Sequence, residues 1–189
     1  MTPPTPVPDT LSFADDETLA LVRLAAVLTA GTDEQIRAAI VDAASIRALW
    51  VEELLLQLYL FAGFPRALNA SREWRRIHPQ AVAPADDRTI QEWRIDGERT
   101  CEKVYGTMYD RLRSNIRDLH PLLDDWMITE GYGKVLSRPG LDLGRRELCI
   151  VAACAAANQD RQLHSHLRGA LNVGVASSAV DASLAAIAD

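Results

Sequence analysis

Apolar residues recur every three or four positions through most of the 189-residue chain, and no stretch alternates with a period of two. This spacing predicts helices throughout and no sheet. Ala, Leu, Arg and Glu fill the periodic segments, and all four enter helices at little cost. The first helix is expected to run to about Ala30, with Ser12 as its cap. Gly31-Thr32 ends it, and Thr32 with Gln35 makes a capping-box pattern for the second. A third is expected over 49–62. Gly63-Phe64-Pro65 stops it, and Pro65 suits the first turn of the helix that follows. The clearest loop is 78–88, with two prolines and adjacent Asp86 and Asp87. Further helices are expected near 100–119, 121–134, 143–157, 161–172 and 178–188, with a break at Arg138-Pro139-Gly140.

The pattern also repeats without a gap. A shift of 127 residues lays Leu21-Val22-Arg23-Leu24-Ala25-Ala26 on Leu148-Cys149-Ile150-Val151-Ala152-Ala153. Asp33, Gln35 and Ala43 fall on Asp160, Gln162 and Ala170, and the breaks Gly31-Thr32 and Asn158-Gln159 coincide. Both halves are therefore expected to contain one helical hairpin, related by a pseudo-twofold axis. The expected organisation is a proline-rich arm over 1–10 and a single all-α domain over 11–189. Within that domain lie a first repeat over about 14–77, connecting helices over 88–136 and a second repeat over about 138–189.

Composition narrows the function. The chain is 48% hydrophobic and 24% charged, a globular profile, with a net charge of −6. No basic stripe exists to neutralise phosphates, so no nucleic-acid partner is expected. No apolar run is long enough for a membrane span, and the N-terminus lacks the basic start and apolar core of a signal peptide. Cys101, Cys149 and Cys154 have no C-x-x-C spacing and read as buried free thiols of a cytoplasmic protein.

The chemistry concentrates near Asn158-Gln159-Asp160, the turn of the second hairpin. Glu147 lies about eleven residues before it and His166 about eight after, so in antiparallel helices their heights differ by roughly 4 Å. A carboxylate and an imidazole are then able to meet as an acid/base pair. Under the 127-residue shift the two fall on Ala20 and Ala39. The packing residues recur and the polar pair does not. Gln162, one turn before His166, shares its side of the helix and suits a substrate oxygen or a helix cap. Arg146 and Arg168 offer guanidinium forks for a carboxylate, with solvated surface charge as the plainer alternative. Tyr59 either lines the pocket or packs in the core. His164 projects about 200° around the helix from His166 and reads as surface. His78 and His120 have no ligand cluster, and neither a metal nor an organic cofactor is expected.

Two blocks resemble the carboxymuconolactone decarboxylase family, whose superfamily includes the AhpD-like alkylhydroperoxidases. One runs from Arg138-Pro139-Gly140-Leu141 through Gly174, with Arg146-Glu147-Leu148 and a Q-L-x-x-H-x-x-x-A-L-x-x-G helix from Gln162. The other, from Glu53 to Ala70, is similar to the family's E-x-x-x-Q-x-x-x-x-x-G-x-P-x-A-x-x-A helix and turn. Single-repeat members place the histidine block first, so this chain resembles a fused or permuted two-repeat member. The resemblance implies an AhpD-like all-α bundle that assembles as trimers or hexamers, and for a fused chain a homotrimer or a larger homo-oligomer. It also puts the family's Glu and His on Glu147 and His166. The two redox cysteines of AhpD-like members fall on Gln159 and Gln162, which removes the dithiol a peroxidase needs. The expected activity is decarboxylase-like, on a small organic acid or lactone, with His166 delivering the proton, Glu147 orienting it and an Arg holding the carboxylate. The alternatives are a non-catalytic oligomeric scaffold or ligand binder, and an alkylhydroperoxidase.

Overall fold

The computed structural model describes residues 14–188, so the proline-rich arm and Ser12 lie outside the described residues. Among the described residues every regular element is helical and none is a strand. α1 (Asp16–Ala30) is capped by Asp15 rather than Ser12, and the Asp15 carboxylate accepts the Thr18 N–H at 2.7 Å. Its charge also suits the positive end of the helix. α2 (Asp33–Asp42) opens with the expected reciprocal capping box of Thr32 and Gln35. α3 (Ala48–Ile77) is broken at Gly63, whose φ of 80° lies in the left-handed region that glycine adopts without a Cβ penalty. Pro65 follows, where a missing N–H costs least. The loop over 78–89 matches the proline-rich reading.

The middle of the chain departs from expectation. The helix expected over 100–119 is two: α4 (Ile90–Tyr105) and α5 (Tyr109–Leu119), separated by Gly106 at φ 53°. α4 begins earlier than expected because Thr89 and Glu92 form a second capping box. α6 (Pro121–Trp126) continues directly into a π-helical segment, Met127–Leu136, instead of remaining α-helical to residue 134. This segment crosses α4 at two glycines. A Cβ on Gly133 would stand 1.9 Å from the Trp93 carbonyl oxygen, and one on Gly97 would stand 2.1 Å from that of Ile128. The backbones meet where only hydrogen atoms fit. Gly133→Ala is therefore expected to lose about 1–3 kcal/mol or more, because the crossing must open. Urea denaturation checks it, and an unchanged midpoint would contradict the close crossing.

α7 (Leu143–Ala156), α8 (Asp160–Asn172) and α9 (Ser177–Ala185) complete the chain. α1 lies against α7, and α7 against α8. The offset of 127 is visible in the contacts themselves: Arg145 on α7 donates to the Thr18 hydroxyl on α1 at 2.9 Å, and these two residues are that far apart. Asp15 and Asp142, equivalent under the same offset, are both N-caps that accept the backbone N–H three residues on. Leu21, Val22 and Ala25 match Leu148, Cys149 and Ala152, and all six are buried in one core cluster. A second cluster joins Cys101 and Val104 of α4, Ile128, Tyr132 and Val135 of the π segment, and Ile150 and Cys154 of α7. The Glu147–His166 site lies beside this second core.

Candidate active site

The α7–α8 hairpin brings Glu147 and His166 together. His166 Nδ1 lies 2.8 Å from Glu147 Oε2. Glu147 is fully buried and His166 nearly so. Gly169, one turn after His166 on α8, makes room for the carboxylate: a Cβ there would stand 2.7 Å from Glu147 Oε2 and from Val104 Cγ1. An ionised Glu147 requires the hydrogen on Nδ1, which leaves Nε2 on the other side of the ring. The rings of Phe61 and Tyr105 meet the imidazole edge-on, with centroids 6.0 and 6.5 Å away.

His166 forms part of the wall of a cavity of about 820 Å³. Glu147 does not reach it and stands behind the imidazole. Apolar walls come from Leu60 and Phe61 of α3, Leu112 and Ile116 of α5, and Leu123 and Trp126 of α6. The π segment adds Met127, Glu130, Tyr132 and Leu136, and α8 adds Arg161, Gln162 and Ser165. Three phenols face this space. Burial, then the charge of Glu130, pushes Tyr59 up to about 12. Burial pushes Tyr105 to about 12 and Tyr132 well above the usual tyrosine value. All three are neutral near pH 7, so they act as hydrogen-bond donors and acceptors rather than as bases.

The other residues singled out in the sequence separate. Gln162 lines the cavity, and also a small adjoining one with Cys154. Tyr59 lines it too, donates to Glu130 Oε2 at 3.3 Å and stacks on Phe64 at 4.6 Å. Arg146 does not belong there. It is fully buried on the far side of α7, where it pairs with Glu53 at 2.7 Å and donates to the carbonyls of Leu141 and Arg138. Adjacent helix residues point about 100° apart, so Arg146 cannot follow Glu147 toward the cavity. Arg168 is exposed and lines a separate groove with His164 and Met108. Neither arginine is placed to hold a substrate in the His166 cavity.

The E-x-x-x-Q block has a structural task. Glu53 accepts both Arg138 and Arg146, at 2.7–3.0 Å. Gln57 donates to the Arg146 carbonyl at 3.1 Å and accepts from its guanidinium at 3.3 Å. A Cβ on Gly140 would stand 2.7 Å from Glu53 Cγ, so the Arg138-Pro139-Gly140 turn closes over this carboxylate. The block ties α3 to the start of α7.

Sequence reasoning missed Arg161, Phe61, Tyr105, Glu130 and Tyr132. Helical register offered one signal: Arg161 and Ser165, like Gln162 and His166, are one turn apart on adjacent sides of α8. Tyr132 depends on π winding, which periodicity did not show.

The thiols are quiet. Burial, then the charge of Glu147, pushes Cys154 up to about 11, and burial pushes Cys101 and Cys149 to about 12. The reactive species is the thiolate. All three thiols should therefore resist a colorimetric disulfide reagent at pH 7.5 in the native protein and react on denaturation. Fast reaction of a native thiol would reopen peroxidase chemistry. Among the described residues no three His, Cys, Asp or Glu side chains converge as a metal site.

Residues 124–189 match the family model described as carboxymuconolactone decarboxylase family, a segment that contains both Glu147 and His166. Over that segment the chain is similar to the carboxymuconolactone decarboxylase family. It is 32% identical over 132 residues to "Peroxisomal protein 2" of Schizosaccharomyces pombe, which covers 66% of this chain and 60% of that protein. It is 24% identical over 159 residues to "Peroxisomal protein 2" of Saccharomyces cerevisiae, which covers 69% of this chain and 56% of that protein. The matches thus span less than two thirds of either relative. No solved structure matches the chain significantly. No helix among the described residues is long and apolar enough to cross a membrane.

Proposed function

We propose that this chain is an acid/base enzyme that decarboxylates a small organic acid or a lactone-derived acid. One contrast carries the reading. Glu53 and Glu147 are both fully buried carboxylates. Glu53 is satisfied by two guanidinium groups. Glu147 has His166 as its hydrogen-bond partner, and its Oε1 has none among the described residues. A carboxylate kept for packing would be paired like Glu53. Glu147 instead spends its charge on one imidazole that borders a cavity.

The chemistry runs as follows. The bond between the substrate carbon and its carboxylate breaks, carbon dioxide leaves, and the electron pair passes into an adjacent unsaturated or carbonyl system. The imidazolium of His166 delivers the proton from Nε2 to carbon, and Glu147 stabilises that imidazolium through Nδ1. Tyr105, half-buried, and Tyr132, buried, are both neutral and offer hydrogen bonds to the developing oxyanion. The test is release of carbon dioxide from a panel of unsaturated and β-oxo acids, comparing the wild type with His166 variants. Absence of turnover across the panel would favour the ligand-binding or scaffold alternative.

The family resemblance and the fused repeat support a homotrimer, with a larger even-numbered assembly second. Large apolar side chains left exposed on the chain, among them Phe64, Leu68, Ile90 and Leu119, suit burial between subunits. Light scattering at micromolar concentration should give three times the chain mass, and a monomer would end the idea. The compartment we propose is the cytoplasm, because the three cysteines are free. The name of both relatives points to the peroxisome for those proteins, and the distribution of a fluorescently tagged chain decides between the two.

A further inference from the structure

The cavity beside His166 is larger than a small lactone fills. At about 820 Å³ it sits in the upper part of the range that accepts drug-sized ligands, roughly 300–1,000 Å³. Resting on the reading of His166 as the acid group of this cavity, we infer that the substrate is an amphiphilic carboxylic acid. An aliphatic chain or ring system fills the cavity, and the carboxylate meets Arg161.

The walls argue for the apolar body. None of the residues of α5 is fully buried. Its apolar side chains Leu112 and Ile116 instead face the cavity. On α6, Leu123 and Trp126 line the same space while remaining about half exposed. Large apolar side chains left partly open on a concave surface gain from a ligand that covers them. A ligand rich in hydroxyls would place unpaired polar groups against Leu, Phe and Trp, which is costly. Sugars and nucleotides are therefore poor fits.

The charges argue for the anion. Two charged side chains border the cavity, Glu130 and Arg161. Glu130 is engaged, by the Tyr59 hydroxyl at 3.3 Å and by Lys134 at 4.0 Å. The Arg161 guanidinium forms no ion pair among the described residues. It stands in the first turn of α8, one turn before Ser165, and the N-cap Gln159 supplies no side-chain hydrogen bond there. The buried His166 lines the same wall. A carboxylate at Arg161 thus gains a fork of donors and the positive end of the helix. Arg161 takes the anchoring place that Arg146 and Arg168 are unable to fill.

Isothermal titration of the full chain with decanoate, decanol and succinate tests the inference. Decanoate should bind, succinate should not, and decanol should bind more weakly than decanoate. Arg161→Gln should weaken decanoate roughly tenfold, the value of one lost charge-assisted contact, and leave decanol unchanged. Trp126→Ala should weaken both chain-bearing ligands. Succinate binding as tightly as decanoate would overturn the apolar body, and full decanoate affinity in Arg161→Gln would overturn the anchor. His166→Gln separates this inference from the catalytic one: retained decanoate binding in it supports the substrate class even where no acid is turned over.

Discussion

Replacing His166 by Ala should remove turnover of a responsive acid by roughly 10²–10⁴-fold, the usual contribution of a positioned general acid. The Ala variant also strips Glu147 of its hydrogen-bond donor, and an uncompensated buried charge destabilises a fold. His166→Gln is the matched control. Its amide retains a donor toward Glu147 but has no proton to deliver. It should keep the melting temperature and assembly of the wild type and still lose turnover. Glu147→Gln should lower turnover by about 10²-fold, because the imidazolium loses its counter-charge. Rates of the three variants, beside thermal melts, check this. Unchanged turnover in His166→Gln would remove His166 from the mechanism.

The largest effect on stability is expected at Glu53. Removing one partner of a buried ion pair costs about 3–5 kcal/mol, mainly because the other charge stays behind. Glu53→Ala would leave Arg138 and Arg146 without their carboxylate, and Arg146 has no exposure to water. At about 2–4 °C per kcal/mol for a chain of this size, the melting temperature should fall by roughly 10 °C. The pH dependence follows with a definite sign. Burial alone pushes the Glu53 carboxyl up, but hydrogen bonds and charge from Arg138 and Arg146 outweigh it and hold the group below the ordinary carboxylate range. A lowered carboxyl contributes stability that is present above the ordinary range and lost as pH falls through its folded value, below the ordinary carboxylate range. The acid limb of the stability curve should therefore flatten in Glu53→Gln. Wild-type melting in both variants would show that the triad is not what joins α3 to α7.

Much of this molecule was legible along the chain because its determinants are local. Thr32 and Gln35 cap a helix through contacts three residues apart, and Gly63 breaks one through its own φ. The turn at Asn158-Gln159 and the length of two regular helices set the heights of Glu147 and His166, so their approach was readable from helix geometry alone. Other features required the packed molecule. Arg145, Arg146 and Glu147 are neighbours in sequence, yet they reach a different helix, a buried triad and the imidazole of His166. Which of them stands behind the cavity histidine depended on what α1, α3 and α8 placed around α7. The π winding of 127–136, and with it the placing of Glu130 and Tyr132, is coupled to a crossing with α4 that no local propensity encodes. The cavity itself is bounded by α3, the end of α4, α5, α6, the π segment and α8. By itself the sequence determined most of the helices, the Thr32 cap and the approach of Glu147 to His166, since those rest on short-range bonds and period. The size of the cavity, its apolar lining and the place of Arg161 at its edge were decided only by tertiary structure, since they arise where helices far apart in sequence fail to close on one another.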